Sequence, residues 1–103
     1  MKLPERVKIG GFWYTIEAAS KELVLRQVYG RTVHDDLNIK LDDERPSILL
    51  RETFLHEILH AAETFLIPQE ELEERQIKIL ARVLFQVFTD NPEVRKFIFE
   101  DEE

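Results

Sequence analysis

The segment Arg51–Phe65 reads RETFLHEILHAAETF, and its periodicity decides how the rest of the chain is read. At about 100° per residue, Phe54, Ile58, Ala61, Ala62 and Phe65 gather on one side of a helix, with Leu50, Leu55 and Leu59 on its flanks. His56 and His60 stand about 40° apart on the other side, in a sector shared with Leu49, Thr53, Glu63 and Thr64. Such a helix buries its apolar face and presents two histidines away from it. An amphipathic helix that merely carries histidines is the plain alternative.

Working outward, the helix is expected over residues 47–66, with Pro68 as its interruption. A second long helix is expected over residues 69–89. Leu72, Ile77, Leu80, Ala81, Leu84 and Phe88 form its apolar stripe. Asn91 can cap a short last helix that opens at Pro92. Before the histidines, RVKIGGFWYTIEA (residues 6–18) is β-branched and aromatic, and its Gly10-Gly11 pair suggests a hairpin or a bulge. Residues 21–29 have no clear type, and Gly30 breaks them. In TVHDDLNIKLD (residues 32–42), alternation from Leu37 onward puts Leu37, Ile39 and Leu41 on one face of a strand. Asp42 or Asp43 can then cap the histidine helix. The class is α+β, with a small antiparallel N-terminal sheet followed by helices.

The 103 residues fit a single domain, 1–103, with one modest core. With 44% hydrophobic residues the chain is too apolar for disorder. The net charge is −7 and no basic face is visible, which argues against nucleic acid and against an anionic membrane surface. The absence of cysteine excludes thiolate ligands and disulfides. No signal-like apolar core opens the chain and no apolar run reaches membrane-spanning length, so a cytoplasmic protein is expected.

Histidines at i and i+4 can both reach one Zn²⁺, since their side chains stand one above the other. Glu57, about 100° from His56, points beside the metal. There it can take a proton from a water rather than ligate. A catalytic zinc site needs a third protein ligand. No glycine and later histidine follow as in the metzincin pattern. The candidates lie in EELEER, at Glu70, Glu71, Glu73 and Glu74. Helical geometry allows either Glu73 or Glu74 to lean inward, while a dipole-favoured acidic first turn accounts for some of these residues without any metal.

TFLHEILHA, followed by the acidic helix EERQIKILARVLFQVFTDNP, resembles the small gluzincin-type peptidase domains of the ImmA/IrrE family, and more loosely SprT-like domains. The resemblance spans roughly residues 37–92. It implies a minimal zincin-like fold and a zinc metallopeptidase. It also implies His56, His60 and Glu74 as metal ligands, because the family pattern places a glutamate seven residues before an alanine, here Ala81. Glu57 is then the general base, and the substrate a peptide or protein such as a repressor-type regulator. The strand at Leu37–Leu41 is the expected edge for peptide docking. Tyr29 and His34 are candidates for oxyanion stabilisation; His34 also fits an ordinary loop residue. Phe12, Trp13 and Tyr14 are expected to pack in the core or hairpin, and Phe85, Phe88, Phe97 and Phe99 in the core or an oligomer face. The competing function is a non-catalytic, zinc-stabilised interaction module.

Overall fold

A computed structural model describes residues 2–9, 11–63 and 72–99. Chain order is β1 (Arg6–Ile9), β2 (Phe12–Ala18), α1 (Ser20–Arg26), β3 (Gly30–Val33), β4 (Asn38–Leu41), α2 (Ser47–Glu63), α3 (Glu74–Asp90) and α4 (Pro92–Phe99). The four strands form one sheet in the order β1-β2-β4-β3. The class is therefore α+β, as expected.

The expected all-antiparallel sheet is corrected. β1–β2 and β3–β4 are antiparallel, but β2 and β4 run parallel, Ile16 opposite Ile39. α1 and β3 lie between β2 and β4 in the chain, and that crossover lets the two run the same way. The first hairpin turns tightly, Ile9 facing Phe12. Gly11 sits at φ 90 there with open space where a side chain would go, so conformation rather than crowding calls for glycine.

The strand expected from Leu37 is also corrected, since residues 32–42 hold most of a second hairpin. Leu37 adopts φ 49 in the turn, its N–H bonded to the His34 carbonyl at 3.2 Å, and β4 begins only at Asn38. Ile39 and Leu41 are fully buried as expected, and Leu37 still packs against the core. Asp42 does not cap α2. Its buried carboxylate accepts the Glu44 N–H at 3.2 Å in a local turn. The Pro46 carbonyl takes the first helical bond of α2, from Leu50 N–H at 3.0 Å.

Alternation divides the sheet. Ile9, Tyr14, Ile39 and Leu41 face a core completed by Leu50 and Ala61 of α2, with Phe54, Ile58 and Ala62 packed alongside. These are the apolar residues that the helical periodicity groups together. α3 seats Ile77 and Ala81 as its buried anchors and packs on α2. Leu80, from the expected stripe, is 40% exposed, so the α3 contact is narrower than the sequence suggests. α3 starts at Glu74, and the Glu73 N–H is bonded by the Gln76 side chain at 2.8 Å. The expected helix residues 64–71 lie outside the described residues. Phe88 and Phe99 meet edge to face at 5.4 Å, while Phe97 is exposed. Among the described residues, no helix is long and apolar enough to cross a membrane.

Candidate metal centre

α2 carries His56 and His60 on the face turned from the core, and α3 brings Glu74 across to them. The His56 Nε2 lies 3.1 Å from His60 Nε2 and 2.9 Å from Glu74 Oε1. The His60 Nε2 lies 2.7 Å from Glu74 Oε2. Three lone-pair-bearing groups thus converge on one point. Ligand atoms bound tetrahedrally at about 2.0–2.1 Å lie about 3.3–3.4 Å apart, slightly wider than the 3.1 Å between the two histidine nitrogens. One ligand atom from each of the three residues lies within 4.8 Å of the others, so a metal ion fits with small side-chain movements. The nitrogen and carboxylate donor set suits a first-row divalent metal. Glu63 Oε2 stands 3.9 Å from His60 Nδ1, on the far side of that ring from Glu74.

Of the two glutamates that helical geometry leaves open, Glu74 joins the histidines. Glu73 is the N-cap residue, in extended backbone one position earlier, and is not in the group. Glu70 and Glu71 lie outside the described residues.

Glu57 is 6% exposed. The Thr32 hydroxyl on β3 lies 2.7 Å from its Oε1 and 3.0 Å from its backbone carbonyl. Burial pushes the Glu57 carboxyl above the ordinary carboxylate range. The Thr32 hydrogen bond and the charges of His60 and His56 pull it back, and Glu74 adds to the rise. Thr32 can reach because it stands opposite Ile39, on the sheet face that α2 covers. Two positions earlier, Gly30 lets the helix come close. A Cβ there would meet Thr53 Cγ2 at 2.8 Å and Glu57 Cγ at 2.9 Å.

Sequence reasoning missed both Thr32 and Gly30. The available signal was a glycine inside a strand-like stretch, which marks close backbone approach as well as a break.

These residues line a cleft of about 770 Å³ between the β3 side of the sheet and the α2–α3 pair. Tyr29 and His34 both line it. The Tyr29 ring carries the Arg45 guanidinium at 3.4 Å, and Arg45 Nη1 donates to Thr53 Oγ1 at 3.3 Å. The expected docking edge is corrected. β4 is paired on both sides, by β2 and β3, and β3 is the outer strand beside the cleft. Tyr14 is buried in the core, whereas Phe12 and Trp13 lie exposed on the first hairpin, with Arg6 stacked 3.9 Å over Trp13. The chain matches no protein-family model, no curated protein and no solved structure.

Proposed function

We propose that the chain is a zinc metallopeptidase of zincin-like fold, with His56, His60 and Glu74 as zinc ligands and Glu57 as general base. The observation that carries this reading is the convergence of those three ligand atoms beside a buried carboxylate, on a cleft. Zinc held there supplies Lewis acidity, acidifying water and polarising a carbonyl. Glu57 accepts the proton of the attacking water and passes it to the leaving amine. The raised affinity of Glu57 for a proton suits the first of these tasks, and the Thr32 bond favours the ionised carboxylate that performs it.

The outer strand β3 offers the peptide a backbone edge. The Asp42 N–H bonds to the Tyr29 carbonyl. Antiparallel alternation then turns the N–H and C=O of Arg31 and Val33 toward β4, and those of Gly30 and Thr32 outward. A peptide laid along that edge runs past Glu57. We take the substrate to be a cytoplasmic protein or peptide, with repressor-type regulators as the class that the resemblance to ImmA/IrrE domains implies.

The test compares zinc-loaded wild type with Glu57→Gln on a mixture of peptides. Cleavage by wild type and a loss of about 10²–10⁴-fold in the variant, with zinc retained, is the expected result. Equal cleavage by both proteins contradicts the role of Glu57. If both hold zinc and neither cleaves, the site is a structural zinc centre in an interaction module.

A further inference from the structure

The outer charge of the chain and the charge of its cleft have opposite signs. The whole chain carries −7, yet the carboxylates of the cleft already have partners. Glu52 meets Arg82 at 3.5 Å, Glu57 accepts from Thr32, and Glu74 faces the two histidines. Three cleft cations have no carboxylate within ion-pair distance among the described residues, Arg31, Arg45 and Lys78; the charge of Arg31 acts on Glu22, which leaves Arg45 and Lys78.

Their placement is specific. Glu74, Lys78 and Arg82 follow at intervals of four on α3, so they form one stripe along the cleft wall. At 1.5 Å per residue, Lys78 lies about 6 Å along the helix axis from Glu74. Arg45 is half-buried, and its guanidinium is fixed by the Tyr29 ring below it and by the Thr53 hydroxyl. Thr53 precedes His56 by three residues on α2, so the fixed guanidinium and the metal ligands share one helix. A guanidinium already ordered by stacking loses little entropy on pairing, and its free N–H groups match a carboxylate. The negative exterior repels an acidic segment elsewhere and leaves the cleft as its favourable entry.

We propose that the cleft selects acidic peptides, with Asp or Glu side chains near the scissile bond paired to Arg45 and Lys78. Cleavage of such peptides rests on the metallopeptidase reading above; their binding does not.

The experiment measures binding by fluorescence anisotropy on the full chain carrying Glu57→Gln and loaded with zinc, so that cleavage does not intervene. Short Glu/Asp-rich, neutral and Lys-rich peptides are compared, all with blocked ends so that only side chains distinguish them. The acidic peptide is expected to bind at least about tenfold more tightly than the neutral one, and to weaken with added salt. Lys78→Glu, at an exposed position, is expected to remove most of that preference while zinc content and melting temperature stay unchanged. Arg45→Lys, which keeps the charge but loses the planar fork, is expected to weaken acidic binding severalfold. Equal affinity for the three peptides overturns the proposal, as does an acidic preference untouched by Lys78→Glu. An acidic preference without wild-type cleavage sinks the peptidase reading alone. Wild-type cleavage of neutral and acidic peptides at equal rates sinks this proposal alone.

Discussion

At the residue scale the site turns on Glu57, whose carboxyl is raised by burial against the opposing pull of Thr32 and the histidines. A carboxyl with a raised folded-state pKa binds its proton more tightly when folded. The stability it contributes is therefore fully present below its unfolded pKa and is lost as pH rises through the folded value. In metal-free protein at neutral pH, Glu57 is then a cost, and Glu57→Gln should raise the melting temperature. A gain of about 1 kcal/mol would appear as roughly 4–8 °C in a domain of this size. Thermal melts from pH 4 to pH 8 should show the advantage shrinking toward acid; a constant or inverted difference would contradict the burial of a charged Glu57. Thr32→Val removes the hydroxyl bonded to Oε1. If the proposed peptidase activity holds, the zinc-loaded variant should keep the metal and move the acidic limb of the pH–rate profile upward, because the ionised carboxylate loses its donor. Gly30→Ala places a Cβ within 3.0 Å of Thr53 and Glu57. We expect a loss of about 1–3 kcal/mol by urea denaturation, the usual scale for overpacking; an unchanged midpoint would show that the strand and helix can part without cost.

At the element scale, Glu74 reaches the histidines because α3 packs on α2, and Ile77 and Ala81 are the buried apolar residues of α3. Ile77→Ala should cost about 2–5 kcal/mol and weaken zinc binding, although Ile77 is not one of the three candidate ligands; calorimetric titration with zinc measures the second effect. The same element was partly legible in the sequence. The histidine face of α2 follows from its period, and the core residues Phe54, Ile58 and Ala61 appear where that period puts them. Glu74 was reachable by resemblance, while periodicity alone left Glu73 open beside it. What stayed hidden depends on pairing between distant segments. The parallel contact of β2 with β4 leaves no local mark in either strand. Leu37 continues the apolar alternation of Ile39 and Leu41 while sitting at φ 49 in a turn. Thr32 and Gly30 acquire their importance only from α2, which begins fourteen residues after β3 ends. Reading β4 as the docking edge failed for the same reason, because strand order is a property of the sheet and not of the strand.

At the scale of the whole molecule, the metal should couple to folding, since the ligand set exists only when α2 and α3 are docked. Zinc at 100 times its Kd should stabilise the fold by about 2.7 kcal/mol. His60→Ala and Glu74→Ala should lose most of that shift, and an equal shift in the variants would place the ion elsewhere. The proposed association with acidic peptides should depend on ionic strength, given the cleft cations without a carboxylate partner among the described residues. The proposed chemistry requires a metal ion bound by His56, His60 and Glu74. Anomalous diffraction at the zinc edge from crystals of the zinc-loaded chain tests this most directly. The expected result is one peak per chain, about 2.0–2.2 Å from His56 Nε2, His60 Nε2 and a Glu74 oxygen. No peak at that point, or a peak held by other residues, would contradict it.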